Sequence, residues 1–508
     1  MNDRRIRKIV IVGGGTAGWM AAAAMARFMK DTFCTIQLVE SDTIPTVGVG
    51  EGTIPQMQVF NRTLGIDEDD FIRKTQGTFK LGIEFCDWGA LGERYMHGFG
   101  GLGRNMEALQ FHHFWCKSHR DGKARSLRHY ALNALAASEN RFMRPVEAGD
   151  SPLSDIGYAF QFDAGRYAQY LRDYAEQRGV QRIEGTVSQV RTDPDSGFIK
   201  SVHLDDGRTV DGELFIDCSG FQGLLIEQCL DAGYEDWSHW LPCDSAWTVP
   251  SERLSPLPPY TRATAQPAGW QWRIPLQHRT GNGHVFSSRF MEDASARAVL
   301  LDSLDTPAIA SPRLLRFTTG KRKTFWEKNC VALGLSSGFI EPLESTGIHL
   351  IQSFIGKLMA FFPDRTFAPI NREYFNREAH FEYDRIRDFI ILHYHATRRD
   401  DTEFWNYVRT MPVPDTLEEK IALFRANGYV HKEGQELFNG ISWAEVFIGQ
   451  GILPEHYHPL VDNLSPQEIE QRLHHIERVI ASAVQHMPSH DAFIARHCRA
   501  AAISPVTF

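Results

Sequence analysis

A short β-branched run, Ile9-Val10-Ile11-Val12, leads directly into Gly13-x-Gly15-x-x-Gly18, and an alanine-rich stretch follows. Few patterns constrain a fold as tightly. Glycines in a strand-to-helix turn let the backbone approach a pyrophosphate closely, and the unpaired amides of a helix start attract its negative charge. Thr16 and Ala17 fill the positions between the last two glycines. The spacing predicts a strand over 6–12, a helix over 19–29 and a second strand over 34–40 (CTIQLVE) ending in Glu40, where an acid can accept hydrogen bonds from a ribose. A tight turn without a ligand is the competing reading, but strand, turn, helix and acid all agree against it. NAD and FAD are not distinguished by this unit alone.

Composition removes other classes. At 508 residues, 43% hydrophobic and 23% charged, the chain has the profile of a soluble globular protein. The net charge of -9 gives no general attraction to nucleic-acid phosphates. Eight cysteines lie scattered with no CxxC pair, unlike a zinc ribbon or a disulfide scaffold, and a reducing cytoplasm is the expected location. The apolar run after the charged N-terminus is broken by glycines before a signal-peptide core could form, and MAAAAMA at 20–26 is too short to span a bilayer. No membrane or nucleic-acid partner is expected. The pairs His112-His113, His393-x-His395, His456-x-His458 and His474-His475 lack accompanying ligands at a recognised spacing, so no metal is expected.

From about 89 to 330, short strands alternate with Pro- and Gly-rich loops, suggesting an irregular sheet inserted into the first domain. Past 347 the period becomes helical, with Ile348, Ile351, Ile355, Leu358, Met359 and Phe362 on one face. Ser465-Pro466-Gln467-Glu468 reads as a capping box opening a helix toward His486, and Thr416 with Glu419 repeats the signature. The expected division is an α/β module over 1–365 and a mainly helical region over 366–508.

Two further segments separate FAD from NAD. ELFIDCSGFQGLL (213–225) is an apolar strand ending in Asp217, the kind of second turn that brings FAD-binding folds of the hydroxylase type back to the cofactor. VALGLSSGFIEP (331–342) is a third strand and loop suited to placing backbone beside a flavin ring. The fold class is therefore a Rossmann-like FAD-binding module of the flavin monooxygenase type, with an inserted mixed sheet and a helical C-terminal region.

TVGVGEGTIP (46–55), TFKLGIEF (78–85), WQWRIP (270–275), ELFIDCSGFQGLL and GFIEPLESTGI (338–348) together resemble the flavin-dependent tryptophan halogenases, over residues 6 to about 360. That resemblance implies a two-component enzyme. A separate NAD(P)H-dependent flavin reductase supplies reduced FAD, chloride or bromide becomes hypohalous acid, and Lys80 holds this oxidant, by hydrogen bond or as a haloamine, against a small aromatic substrate. Glu344 polarises the halogenating species or takes the ring proton. FAD contacts are implied at Gly13, Gly15, Thr16, Ala17, Gly18, Glu40, Gly50, Gly52, Val187, Asp217 and Leu335, halide contacts at Thr346 and Gly347, and flavin shielding at Trp270 and Trp272. His97 and Phe99, with Trp443, are implied at the substrate. A homodimer is compatible with the resemblance.

The residues support parts of this independently. TFKLGIEF alternates like a half-buried strand, with Phe79, Leu81, Ile83 and Phe85 on one face and Lys80 on the polar one; alone, Lys80 would read as an ordinary solvated lysine. The acids Glu341 and Glu344 precede a helix start whose amides at Thr346 and Gly347 can hold an anion without a basic side chain; a capped helix with solvated acids is the alternative. Trp270 and Trp272 share one face of a strand, where core packing is the commoner role. ISWAEVFIGQG (441–451) carries Trp443-Ala444 where tryptophan-specific relatives would place a tyrosine pair, which favours indole, a substituted indole or a larger aromatic over free tryptophan. The competing functions are a flavin-dependent aromatic hydroxylase, which would be indifferent to loss of Lys80, and an FAD-holding redox sensor without turnover.

Overall fold

The computed structural model describes residues 4–29, 34–44 and 50–502. Its contacts divide the chain into two compact units, each built from three stretches: Met1–Gln76, Phe162–His239 and Phe317–Tyr383 form the first, and Gly77–Gln161, Trp240–Arg316 and Asp384–Phe508 the second. The single division expected at 365/366 gives way to this interleaving. Strand pairing is the cause, because Lys8–Val12 lies beside Leu214–Asp217, which in turn lies beside Cys330–Ala332, drawing distant segments back to the N-terminus.

The first unit is α/β. Its six-stranded sheet runs in the order Trp326–Glu327, Cys330–Ala332, Leu214–Asp217, Lys8–Val12, Thr35–Glu40 and Gln181–Glu184, parallel except at the first pair. Register places Val12, Val39, Asp217 and Ala332 level at the carboxyl ends. The glycine turn feeds the helix Thr16–Phe28, buried from Gly18 through Ala26, and the small Ala21–Ala24 run lets it pack against the helices Ala164–Glu176 and Gly347–Ala360. A three-stranded antiparallel sheet, Val187–Thr192, Ile199–Leu204 and Thr209–Asp211, packs over an apolar cluster shared with Val10, Val12 and Val39.

The second unit centres on a seven-stranded sheet in the order Arg313–Arg316, Ser245–Ser251, Thr280–Phe286, Gly269–Pro275, Thr261–Gln266, Gly82–Cys86 and Arg94–Gly98. Every residue of Gly269–Pro275 and Thr280–Phe286 is buried, so neither strand shows the alternation of a one-sided sheet. Helices surround it, including Phe111–Arg120, Leu132–Ser138, Gly440–Gly449 and Pro466–His486. The capping box at Ser465 forms as expected, with Glu468 N–H donating to Ser465 Oγ at 3.3 Å and Ser465 N–H to Glu468 Oε2 at 2.8 Å. Thr416 does not cap. It lies inside the helix Asp415–Asn427, and its hydroxyl donates to Asp388 Oδ2 at 2.6 Å, a tertiary partner that outcompetes the local one.

Among the described residues, no helix is long and apolar enough to cross a membrane, and no group of three or more metal-ligating side chains gathers.

Candidate active site

In the first unit, three turns meet at the carboxyl ends of the parallel strands. Gly13 adopts φ +109°, and a Cβ there would lie 2.2 Å from Cys218 O; at Gly18 it would lie 1.9 Å from Gly13 O. Gly15 is the N-cap of the helix that begins at Thr16. Gly334, at φ +66°, brings the third turn so near the helix start that a Cβ would sit 2.7 Å from Ala17 Cβ. Cys218 N–H donates to Val12 O and Leu333 N–H to Asp217 O, each at 2.8 Å, while the Ser336 hydroxyl also binds Asp217 O. The result is a cradle of backbone with its side chains removed, which fits a dinucleotide.

Glu40 ends the second strand as expected and reaches over the glycine turn, where a Cβ on Gly14 would fall 1.5 Å from Glu40 Oε2. Arg182 Nε donates to it at 2.5 Å, Trp19 Nε1 at 3.3 Å, and Arg172 lies 3.6 Å away, so its orientation is fixed. Asp217 is fully buried and its carboxylate accepts from Ser219 N (2.9 Å), Ser219 Oγ (2.6 Å), and Leu225 and Ile226 N (2.8 Å each). Its side chain is spent on holding the second turn, leaving that turn's backbone to face a ligand. Leu335 is half-buried in the short 3-10 turn Gly334–Ser336. Val187 opens a strand of the small antiparallel sheet and packs against the apolar cluster beneath it.

Gly50 and Gly52 are buried in the strand Gly50–Gly52, and residues 46–49 of the same motif lie outside the described residues. Glu51 stands between the two glycines, and burial pushes its carboxyl up to about 7. Further along, Glu341 and Glu344 are fully buried rather than solvated, and Ser345 takes a left-handed conformation at φ +59°. Thr346 precedes the helix Gly347–Ala360 as its N-cap, with no side-chain capping bond, and its hydroxyl is buried with no partner among the described residues. Gly347 is exposed, and a Cβ on it would meet nothing within 4 Å.

In the second unit, TFKLGIEF is two strands. Thr78–Lys80 pairs with Ala159–Asp163, with Lys80 opposite Ala159, whereas Gly82–Cys86 belongs to the seven-stranded sheet. The chain changes sheets at Leu81, whose N–H donates to Pro259 O at 2.7 Å and whose carbonyl accepts from Phe99 N at 2.9 Å and Asn133 Nδ2 at 3.1 Å. Gly82 is required there, because a Cβ would meet His97 O at 2.4 Å. Both faces are covered, so the expectation of a half-buried strand with a polar face is corrected: Thr78, Phe79, Lys80, Leu81 and Ile83 are all fully buried. Phe79 stacks on Phe142 with centroids 4.2 Å apart, and Lys80 extends its ammonium over the Phe99 ring, 5.2 Å from the centroid.

The His97 and Phe99 rings lie 6.4 Å apart and edge to face. Two aromatics absent from the sequence reasoning complete this wall: Phe389 lies 5.7 Å and Phe438 6.1 Å from His97, and the two stack at 3.9 Å. Both come from segments more than 280 residues away in the chain, and no local signal marks either. Trp443 stands behind them. Its ring meets Phe389 edge-on at 4.9 Å, also contacts Phe447, and carries the Lys420 ammonium 4.7 Å above it. Trp270 and Trp272 are buried 6.0 Å apart, Trp270 against Trp88 and Trp272 across Gly283, where a Cβ would lie 2.0 Å from the indole. The Trp272 N–H is buried with no partner among the described residues.

Comparison with known proteins agrees with this arrangement. The tryptophan halogenase family matches residues 8–466. A solved flavin-dependent halogenase from Xanthomonas campestris is 48% identical, covers 99% of this chain and 100% of its own, and superposes with a TM-score of 0.95. Another, from Brevundimonas sp. BAL3, is 46% identical with a TM-score of 0.94, covering 97% and 99%. The tryptophan 7-halogenase of Lentzea aerocolonigenes is 35% identical over 503 residues, 92% of this chain and 93% of that protein. Flavin-dependent halogenases use a flavin and a halide and require a separate flavin reductase and an aromatic substrate. The chain belongs to the tryptophan halogenase family and is a flavin-dependent halogenase.

Proposed function

We propose that the chain binds reduced FAD in its first unit and halogenates indole or a substituted indole at Lys80 in its second. The observation carrying this reading is that Lys80, a residue type that ordinarily seeks water, is fully buried with its ammonium over Phe99, next to the aromatic wall of His97, Phe389 and Phe438. The glycine turn holds the pyrophosphate through its amides, Glu40 takes the ribose, and Gly50, Gly52 and Leu335 flank the ring system. Asp217 acts by fixing the second turn, and Val187 by closing the apolar cluster below the cradle. The bound flavin supplies activated oxygen that converts halide to hypohalous acid. The backbone amides at Thr346 and Gly347, at the start of the helix Gly347–Ala360, hold chloride or bromide without a cation.

Lys80 receives hypohalous acid. As an ammonium it donates a hydrogen bond that polarises the oxygen–halogen bond; as a neutral amine it forms a nitrogen–halogen bond and releases water. Either route presents an electrophilic halogen to a ring carbon, which then loses its proton; the family resemblance implies Glu344 as the acceptor. His97, Phe99, Phe389 and Phe438 orient the ring, which selects the carbon that reacts. Trp443 supports Phe389 from behind. For Trp270 and Trp272 the family resemblance implies a shielding role that separates halogenation from hydroxylation. A separate NAD(P)H-dependent reductase supplies the reduced flavin. Mass spectrometry of indoles incubated with flavin reductase, oxygen and mixed bromide and chloride tests it. Products with the paired isotope masses of a halogen are expected; an oxygenated product formed without halide would replace this function with hydroxylation.

A further inference from the structure

We infer that Glu445 is a positioning residue that sets the geometry of the His97–Phe99 clamp through the backbone of Gly98, an inference resting on the halogenase reading above. Arg94–Gly98 is the edge strand of the seven-stranded sheet, so only one of its sides has a neighbouring strand. Phe99 N–H donates to Leu81 O at 2.9 Å, and Gly98 opposes Gly82 in the antiparallel register. In such a ladder alternate residues turn their amides outward, so Gly98 directs its N–H away from the sheet. The site is buried, and an unpaired amide there would carry a desolvation cost. Glu445, itself buried, accepts that N–H at its Oε2 at 3.0 Å.

Glu445 projects from the helix Gly440–Gly449, two residues beyond Trp443. The bond therefore ties the helix that carries Trp443 to the one residue lying between the two that clamp the substrate. Free rotation at Gly98 makes the tether consequential. A glycine linking His97 to Phe99 restricts neither ring, and a fixed amide direction restricts both. Gly157 presses from the other side, where a Cβ would lie 2.0 Å from Phe99 O, and Asn133 Nδ2 bonds both Leu81 O and Gly157 O. Glu445 supplies the remaining constraint. It acts through the clamp.

The test compares Glu445→Gln, which keeps an acceptor oxygen, with Glu445→Ala, which removes it, and Glu445→Asp, one methylene shorter, as a milder loss should the alanine variant fail to fold. Each is assayed with indole, bromide, oxygen and flavin reductase for kcat, KM and the ratio of ring-carbon isomers. Free hypobromous acid is read separately with a diketone trap. The alanine variant is expected to lose about tenfold in kcat/KM, mostly through KM, as for a lost hydrogen bond to a charged group, and to give a broadened isomer ratio. The aspartate variant is expected between alanine and wild type, and the glutamine variant within about threefold of wild type. Trapped hypobromous acid is expected to match wild type in all three. Wild-type kcat/KM and isomer ratio in the alanine variant, or glutamine as damaging as alanine, would overturn the inference. So would a parallel fall in trapped hypobromous acid, which marks general damage. Amide hydrogen exchange over residues 97–99 gives a readout independent of turnover. Faster exchange in the alanine variant but not the glutamine variant supports the tether even if the wild-type protein makes no halogenated product, and unchanged exchange overturns it.

Discussion

The two units solve their chemical problems with opposite materials. In the first, the cradle is made by leaving side chains out: Gly13, Gly14, Gly18 and Gly334 each sit where an added Cβ would strike a neighbour within 3 Å. In the second, a cluster is made by putting side chains in, with Lys80, His97, Phe99, Phe389 and Phe438 drawn from segments spread across most of the chain. Backbone recognises what many ligands share, such as a phosphate's charge. Side chains recognise what differs between one aromatic and the next. The first unit therefore tolerates little change at its glycines, whereas the second can be retuned ring by ring.

That contrast can be broken at its strongest point first. Lys80→Met keeps much of the side-chain length but removes the amine, and turnover of indole to bromoindole is expected to fall about a thousandfold, in the range of losing a positioned catalytic group. Oxygen consumption should continue; product formation near the wild-type rate would remove Lys80 from the chemistry. In the first unit, Gly18→Val places a Cβ 1.9 Å from Gly13 O, and moving that carbonyl costs on the order of 3 kcal/mol, so flavin affinity by fluorescence titration should weaken at least about a hundredfold. Unchanged affinity would mean that the turn does not hold the cofactor.

Glu51 allows a finer comparison, because it is a carboxyl side chain set between two buried glycines of the first unit. Burial raises its carboxyl from 4.5 to about 7, so the folded chain holds this proton more tightly than the unfolded one. Its contribution to stability is fully present below pH 4.5 and is lost as pH rises through about 7, with a magnitude of about 3 kcal/mol. Glu51→Gln should leave thermal stability nearly unchanged at pH 4.5 and raise it at pH 8. Equal melting shifts at both would show that Glu51 is not held in that state. The smallest effect concerns a single ring: Phe438→Ala should raise KM for indole about tenfold by deleting one wall of the pocket. An unchanged KM would place the substrate elsewhere.

The glycine turn, Glu40 and the start of the helix at Thr16 were legible because each follows from spacing within a few dozen residues. The capping box at Ser465 was legible for the same reason. Lys80 could be named only through resemblance, since its strand read as half-buried until two sheets and the bonds around Leu81 covered both of its faces. Thr416 misled because Asp388, a partner 28 positions away, took the hydroxyl that a local cap would have used. Trp443 could be named only through the correspondence of its segment to a tyrosine pair in relatives, whereas Phe389, which contacts both the Trp443 and His97 rings, carries no such signal.

What the sequence determined by itself was the nucleotide-binding half of the protein. A turn's need for glycine, and a helix's need for a cap, are local steric and hydrogen-bonding facts that hold wherever the chain goes. What only the tertiary structure decided was the pocket: that a lysine is dry, that Phe438 faces His97, and that a carboxylate at 445 takes an amide at 98. Those depend on which surfaces meet after burial, and burial is a property of the whole fold rather than of any window along the chain.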